Sequence, residues 1–205
     1  MKRIVWPLLI AACLWFFMFS PWTAGMINFW TSMSFSAVVL MNLTFRLRPT
    51  WWAEDVTFNG RNLLLGVALA AALWGIFWTG NLISSWLFEF ARPQVADIYG
   101  IKGGASGWLL SLLLILLIGP AEEIFWRGYV QHTFSRRWNP NVGLVVTTLI
   151  YALIHLWSFN FMLVMAALVA GAVWGLAYRF FPKYLGAIIV SHALWDAAVF
   201  VLFPI

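Results

Sequence analysis

Seven long apolar segments run through this chain, and the short stretches between them carry most of its charged residues. A helix needs roughly 20 residues to cross the hydrocarbon core of a bilayer, with about 17 as the lower limit. The segments are Ile4–Phe19, Phe29–Phe45, Leu63–Phe88, Trp108–Phe125, Val142–Trp157, Phe161–Phe180 and Leu185–Phe203. The pattern therefore predicts an all-α fold, a polytopic membrane bundle of about seven transmembrane helices.

The composition places the chain among membrane proteins rather than soluble domains. Hydrophobic residues make up 63% of the 205 residues and charged residues only 9%, whereas soluble domains contain roughly 45–50% apolar and 25% charged residues. The net charge of +5 would suggest a nucleic-acid partner in a soluble protein, but in a bundle of apolar helices it reflects topology. We expect a multi-pass integral protein of the cell membrane, surrounded by lipid and without a nucleic-acid partner. The single cysteine, Cys13, excludes an intrachain disulfide.

The placement of the basic residues predicts the orientation of the bundle. Cytoplasmic ends of transmembrane helices carry an excess of Lys and Arg. With the N-terminus in the cytoplasm, nine basic residues fall on the cytoplasmic side: Lys2, Arg3, Arg46, Arg48, Arg61, Arg136, Arg137, Arg179 and Lys183. Only Arg92 and Lys102 fall on the outer side when Arg127 is left aside. Seven helices with the C-terminus outside satisfy this asymmetry.

The first apolar segment also resembles a secretory signal peptide. It follows two basic residues, and Thr23 to Gly25 form an acceptable cleavage context. Its bulky residues, however, continue to Phe19, close to the turn at Pro21, which favours a retained helix. We expect this segment to stay in the protein as the first transmembrane helix, with cleavage as the alternative.

Six ionisable side chains lie within or at the edge of three apolar segments. They are Glu122, Glu123 and Arg127 in the fourth segment, His155 in the fifth, and His192 and Asp196 in the seventh. A charge at the centre of a membrane helix costs roughly 2.5–3.5 kcal/mol, so such groups normally face the bundle interior or a wet cavity. Residues four positions apart share a helix face, so Glu123 can pair with Arg127, and the two residues of the seventh segment can pair with each other. Glu122 points about 100° away from Glu123 and is free for another partner.

Each of these motifs has a structural explanation when it is taken alone. The glutamates and the arginine could form a salt bridge at the membrane interface, and His155 could be a packing residue. His192 and Asp196 could be a polar pair that holds two helices together. His132 is expected to be interfacial and Tyr151 to be a packing residue. Together, however, a glutamate, two histidines and an aspartate on three helices have the composition of a site for general acid–base chemistry on a water molecule.

Counting 1.5 Å per residue from the predicted helix ends gives the depth of these groups. Glu122 and His192 come out about 10 Å from the cytoplasmic side. By the same count Asp196 lies about 17 Å deep and His155 about 20 Å deep. In a hydrocarbon core about 30 Å thick, these depths predict a site in the cytoplasmic half of the membrane.

Four motifs follow one another along the second half of the chain in a recognisable order. They are Glu122-Glu123-x-x-x-Arg127, Tyr151-x-x-x-His155, Gly171-x-x-x-Gly175 and His192-x-x-x-Asp196. This order resembles the CAAX-protease and bacteriocin-processing (CPBP) family of intramembrane endopeptidases, whose pattern is EExxxR, FxxxH, a glycine-containing helix and HxxxN or HxxxD. The resemblance covers roughly residues 108–200 and implies a catalytic core at 108–205. Residues 1–107 would be N-terminal helices of the same integral membrane domain.

The resemblance implies a glutamate-dependent peptidase that hydrolyses a membrane-associated protein or peptide. By position in the motifs, Glu122 and His155 would activate the water that attacks the scissile carbonyl. His192 and Asp196 would hydrogen-bond the oxyanion. No motif in the chain reads a substrate side chain, so prenylated C-terminal tails, precursor peptides, bacteriocin leaders and C-terminal sorting signals all remain open as substrates.

The same resemblance assigns Glu123 and Arg127 to orienting the site rather than to reacting. Two other positions depart from the family's pattern. Tyr151 stands where Phe is usual, and its hydroxyl needs a hydrogen-bond partner. Asp196 stands where many members have Asn, and a carboxylate donates a hydrogen bond only when it is protonated. Asp196 would then orient His192 and stabilise its charged form.

Two alternatives stay open, one about the cofactor and one about the function. Glu122, His155 and His192 could supply the three protein ligands of a catalytic zinc. The chain lacks the HExxH motif that preorganises such a site, and the resemblance favours a metal-free mechanism, so we expect no cofactor. The alternative to an enzyme is a non-catalytic membrane protein. It could be a proton-coupled transporter, since intramembrane Glu, His and Arg also form proton relays, or a binding protein of the bacteriocin-immunity type.

Overall fold

The computed structural model describes residues 2–50, 54–57 and 59–205, and within these ranges the chain forms eight helices and no strand. The helices are α1 (Lys2–Phe19), α2 (Phe29–Leu47), α3 (Gly60–Leu87), α4 (Ala91–Gly100), α5 (Gly107–Arg137), α6 (Pro140–Ser158), α7 (Phe161–Phe180) and α8 (Pro182–Leu202). Helices α3 and α5–α8 are long and apolar enough to cross a membrane, and α1 contains a shorter apolar helix. The chain is therefore a helical integral membrane protein.

The predicted apolar segments all lie on helices, but two features of the helices differ from the prediction. Helix α4 was not predicted, because Arg92, Gln94 and Asp97 interrupt any apolar run there. Helix α5 is longer than predicted and continues to Arg137. Arg127 and the polar residues that follow it lower the hydropathy of this stretch without breaking the helix. The number of membrane crossings and the side of the N-terminus stay predictions.

Four helices begin at an asparagine that caps the first turn. Asn28, Asn59, Asn139 and Asn160 precede α2, α3, α6 and α7, and the side-chain oxygen of each accepts a hydrogen bond from a backbone N–H two or three residues later. The first N–H groups of a helix have no partner within the helix, and a capping side chain supplies one. These caps allow the chain to reverse direction in short connections.

The helices run between two ends of the bundle, which we call the basic end and the opposite end. The basic end contains the C-terminal ends of α2, α5 and α7 and the N-terminal ends of α3, α6 and α8. There, Arg179 donates a hydrogen bond to Asn141 at 2.9 Å. The opposite end contains α4, where the carbonyl of Gln94 accepts a hydrogen bond from Asn160 at 2.7 Å. The positive-inside rule predicts that the basic end is cytoplasmic.

A buried ion network joins the segment after α2 to the bundle at the basic end. Arg48 Nη1 lies 2.7 Å from Asp55 Oδ2 and also donates to the carbonyl of Gly128 on α5. The hydroxyl of Tyr178 on α7 donates to the same Asp55 oxygen at 2.6 Å. His132, which we expected to be interfacial, extends this network with Nδ1 3.2 Å from the Tyr178 hydroxyl. The network therefore connects α5 to α7 on the basic-end side of the candidate site.

Helix α8 lies at the centre of the bundle, between α3 and α5. A glycine permits each of these close approaches. A Cβ atom at Gly66 of α3 would lie 2.7 Å from the carbonyl oxygen of Ala187. A Cβ atom at Gly119 of α5 would lie 2.8 Å from the Cα of Ala193 and 2.9 Å from its backbone nitrogen. The second approach places α5 directly against the turn of α8 that contains His192.

We expect Gly119→Ala to destabilise the protein by about 1–3 kcal/mol, the usual cost of overpacking a core. The added methyl meets backbone atoms of Ala193, which cannot rotate away, so α5 and α8 must separate. Gly75→Ala on α3 is the control, since a Cβ there meets nothing within 4 Å and alanine favours a helix. Thermal unfolding in detergent micelles compares the two variants. A Gly119→Ala protein as stable as Gly75→Ala would contradict this packing.

Candidate active site

Glu122 and Glu123 lie near the middle of α5. They belong to an α-helical turn between two π-helical turns that begin at Leu114 and Trp126. Single π-helical turns are rare and often occur at functional sites. The predicted segment ended within one turn of Glu122, but the helix continues to Arg137. Glu122 therefore lies about 22 Å from each end of α5 at 1.5 Å per residue, and its depth in the membrane stays a prediction.

Glu123 is the centre of a buried ion cluster. Its Oε1 accepts a hydrogen bond from Arg127 Nη1 at 2.7 Å and lies 2.6 Å from Nδ1 of His192. The Glu123 side chain is 0% exposed and that of Arg127 is 1% exposed. The predicted pairing of Glu123 with Arg127 is confirmed. The contact with His192 joins α5 to α8 and was not predicted. A buried charge needs such partners, because its desolvation is costly.

His192 is held between two carboxylates and an aromatic ring. Its Nδ1 faces Glu123, and its Nε2 lies 3.4 Å from Asp196 Oδ2, which confirms the predicted pairing within α8. The ring of Trp174 on α7 stacks on the imidazole, with 3.8 Å between the ring centres. The indole nitrogen of Trp174 donates in turn to Ser191 at 3.1 Å. With an acceptor beside each ring nitrogen, a protonated His192 donates a hydrogen bond from both.

Arg127 also connects α5 to α7. Its Nη2 donates to the carbonyl of Gly171 at 3.1 Å, and one turn later Gln131 donates to the carbonyl of Gly175 at 2.8 Å. Glycine at these two positions lets α7 approach α6 closely, as small residues commonly do in membrane bundles. A Cβ atom at Gly171 would lie 3.0 Å from the ring of Tyr151, and one at Gly175 only 2.7 Å from the side chain of Leu144. The backbone carbonyls of the two motif glycines thus accept the hydrogen bonds that α5 donates to α7.

Glu122 takes its hydrogen bond from α6 and not from the ion cluster. The hydroxyl of Tyr151 donates to Glu122 Oε2 at 2.8 Å, and both residues are buried. Tyr151 is therefore more than the packing residue that we expected. The sequence contained a signal for this contact, since a hydroxyl in place of the usual Phe needs a partner. Glu122 was the glutamate without a predicted partner.

His155 lies one turn after Tyr151, in the 3₁₀ turn that ends α6. Its Nδ1 lies 2.8 Å from the carbonyl oxygen of Tyr151, and its Nε2 lies 3.0 Å from the indole nitrogen of Trp15 on α1. A carbonyl only accepts a hydrogen bond, and an indole N–H only donates one. The imidazole is therefore neutral in this arrangement, with its proton on Nδ1.

A cavity of about 420 Å³ lies beside these side chains. Pockets that bind small molecules have volumes of roughly 300–1,000 Å³. The four residues predicted to be catalytic all line it, namely Glu122, His155, His192 and Asp196. Tyr151 lines it as well, whereas Glu123 and Arg127 are buried behind its wall. Apart from a few polar side chains, apolar residues form the remainder of the wall.

The cavity occupies the half of the bundle away from the basic end. Its wall includes α4, the first part of α7 from Phe161, and the second part of α3 from Ile76. On α8 the wall begins at His192 and continues toward the opposite end. The cavity thus extends from Glu122 toward the opposite end. The sequence predicts a site in the cytoplasmic half of the membrane, and the position of the site relative to the membrane stays a prediction.

The three residues considered as zinc ligands are not grouped around one point in the described part of the chain. A catalytic zinc needs three protein ligands on one ion. Within the described ranges, no group of three His, Cys, Asp or Glu side chains is placed to hold a metal. Both ring nitrogens of His155 and of His192 are already directed at protein groups. Glu122 accepts its hydrogen bond from Tyr151 and not from either histidine.

Comparison with known proteins finds a family match for the second half of the chain. Residues 104–198 match the Rce1-like family, described as type II CAAX prenyl endopeptidases. The match spans a little under half of the chain and contains the four motifs with all six candidate site residues. No curated protein and no solved structure matches the chain. Residues 104–198 are therefore similar to the CPBP family of CAAX-type membrane endopeptidases, the family that the order of the motifs predicts.

Proposed function

We propose that the protein is an intramembrane endopeptidase in which Glu122 activates a water to hydrolyse a peptide bond. The position of Glu122 carries this proposal. It is a buried carboxylate at the wall of a cavity, and His155 and His192 line the same space. The family match over residues 104–198 supports a protease, and hence a hydrolase. The largely apolar wall favours an enzyme over a transporter, whose proton relay needs polar groups through both halves of the membrane.

In the proposed reaction Glu122 acts first as a base and then as an acid. Its carboxylate takes a proton from water while the water oxygen bonds to the scissile carbonyl carbon. The carbon–nitrogen bond then breaks, and Glu122 gives the proton to the departing amine. The products are a carboxylic acid and an amine, and no covalent enzyme intermediate forms. Because Tyr151 donates to Oε2 of Glu122, Oε1 is left for the water. Such proton transfer contributes about 10²–10⁴-fold to a rate.

The histidines have different parts in this proposal. His155 shares the water with Glu122 through its Nε2, once that nitrogen is released from Trp15. His192 places a positive charge beside the developing oxyanion, where fixed charge stabilises the transition state. Its charged form is favoured by Glu123 and Asp196, which lie beside its two nitrogens. We therefore assign Asp196 to orienting His192 rather than to binding the oxyanion.

The substrate reaches this cavity from the membrane, between α3 and α7. Ile76 and Gly80 of α3 and Met165 and Val169 of α7 line the cavity on this side. Ile76 is 46% exposed, so it faces both the cavity and the surroundings of the bundle. An apolar wall of this kind favours a peptide with an apolar anchor. The name of the matching family points to prenylated C-terminal tails, and we propose a prenylated peptide as the substrate.

Matched peptides test this substrate class. The purified protein in lipid vesicles is incubated with one peptide in three forms: farnesylated on a cysteine near its C-terminus, acylated there with a saturated chain, and unmodified. Mass spectrometry of the products measures the cleavage rate. We expect the farnesylated form to be cleaved fastest. Equal cleavage of the acylated form would show that the enzyme requires an apolar anchor but not a prenyl group. Equal cleavage of the unmodified form would contradict the requirement for an anchor.

We also propose that the reaction needs no metal. Glu122 supplies the base and His192 the positive charge, which are the two functions that a catalytic zinc would serve. We expect cleavage to be unchanged after dialysis against a strong zinc chelator. A known zinc protease in the same vesicles provides the control for chelation. Loss of cleavage that zinc then restores would contradict the metal-free mechanism.

A further inference from the structure

The first helix contributes a side chain to the candidate site, although it lies outside the family match. Trp15 of α1 is 1% exposed and lines the cavity. Its indole nitrogen lies 3.0 Å from Nε2 of His155, across 140 positions of sequence. The two rings meet edge to face, with 83° between their planes. Helix α1 also packs on the turn that holds this histidine, with the Phe16 and Trp157 ring centres 5.0 Å apart.

The chemistry of the two ring nitrogens defines what this contact does. Nδ1 of His155 faces the carbonyl of Tyr151, so it carries the proton, and the lone pair of the neutral imidazole is on Nε2. The indole N–H of Trp15 donates to that lone pair. A water shared with Glu122 would donate its own O–H to the same lone pair. The indole N–H of Trp15 thus occupies the lone pair of Nε2 that the reacting water needs.

We infer that Trp15 is a positioning residue for His155. It holds the unprotonated Nε2 at the cavity wall and gives way to the water when a substrate is bound. Without the indole N–H, the imidazole keeps one hydrogen bond, to the Tyr151 carbonyl, and its packing against the rings of Phe19 and Tyr151, so no polar group fixes Nε2. The expected change in kcat rests on the proposed function, whereas the position of the proton on the imidazole does not.

Trp30 is a matched control within the same cavity. It lies on α2, is 8% exposed and lines the cavity as Trp15 does. Its indole nitrogen donates to a backbone carbonyl, that of Ile101, at 3.2 Å. Trp15→Phe and Trp30→Phe therefore remove the same atoms from the same cavity wall, but only the first removes a hydrogen bond from a histidine.

Nitrogen NMR of the histidine side chains tests the contact without a substrate. The chain has three histidines, so ¹⁵N-histidine labelling gives three imidazole patterns, which single His→Gln variants assign. We expect His155 to carry its proton on Nδ1, its Nε2 signal to shift in Trp15→Phe, and that signal to stay in place in Trp30→Phe. An unmoved signal in Trp15→Phe, or equal shifts in both variants, would overturn the inference. If Trp15→Phe does not fold, a through-space correlation between the Trp15 indole proton and the His155 ring in the unmodified protein decides the matter, and its absence overturns it.

Kinetics with a cleaved peptide test the consequence. We expect Trp15→Phe to lower kcat about tenfold, as the loss of one hydrogen bond can, with KM within about twofold. Trp30→Phe removes no hydrogen bond from a histidine, so it should lower kcat by a clearly smaller factor than Trp15→Phe does. A raised kcat in Trp15→Phe would show that the indole obstructs His155, and equal losses in both variants would show a structural role only. Either result overturns the inference about Trp15. Cleavage of the peptide by the unmodified protein supports the proposed endopeptidase function independently.

Discussion

Replacing Glu122 by Gln should reduce cleavage by about 10²–10⁴-fold, the contribution of a general base. Glutamine has nearly the same shape, and its amide oxygen can still accept the hydrogen bond from Tyr151. It cannot accept a proton from water. The protein should therefore insert and unfold as before while cleavage is lost. The measurement is the initial rate of peptide cleavage in vesicles, together with the thermal unfolding midpoint of each variant.

Two substitutions serve as controls for this experiment. Glu89→Gln makes the same change at an exposed glutamate between α3 and α4 and should leave the rate unchanged. Tyr151→Phe removes the hydrogen bond to Glu122 and restores the residue usual in the family, so cleavage should stay within about tenfold. Membrane peptides that accumulate in cells expressing Glu122→Gln would identify the natural substrate. Full cleavage by Glu122→Gln would contradict the proposed mechanism.

Replacing Arg127 by Leu should cost about 3–5 kcal/mol of stability, which is typical when one member of a buried ion pair is removed. Glu123 would keep only His192 as a partner, and the carbonyl of Gly171 would lose the donor that holds α5 to α7. Lysine at this position should be intermediate. It restores the charge beside Glu123, but it lacks the fork that reaches two acceptors at once.

Arg137→Leu provides the comparison for Arg127→Leu, because Arg137 is exposed in the last turn of the same helix. Its replacement should change stability by less than about 0.5 kcal/mol. Unfolding midpoints in detergent micelles, measured for both variants side by side, give the result. If the two replacements lower the stability equally, the ion cluster around Glu123 is not what stabilises this part of the bundle.

The candidate residues differ in how far the sequence could predict their contacts. The pairs Glu123–Arg127 and His192–Asp196 were predicted because each lies within one helix, where residues four positions apart share a face. The contact between Glu122 and Tyr151 could only be suspected, from a hydroxyl and a carboxylate that both lacked partners.

The length of α5 shows where hydropathy fails. The apolar run ended within a turn of Glu122, yet α5 continues to Arg137, and the polar side chains of Arg127 and Gln131 have buried partners on α7. Hydropathy measures the polarity of a residue and not whether that polarity is satisfied by a neighbour.

By itself, the sequence determined the membrane class, the approximate helices and the order of the motifs, because composition and helical period are local properties. Only the tertiary structure decided which helices meet and at what height. The contacts of Glu123 with His192 and of Trp15 with His155 depend on the rotation and depth of separate helices. Close packing sets both, through approaches such as that of Gly119 to Ala193. No periodicity within a single helix contains that information.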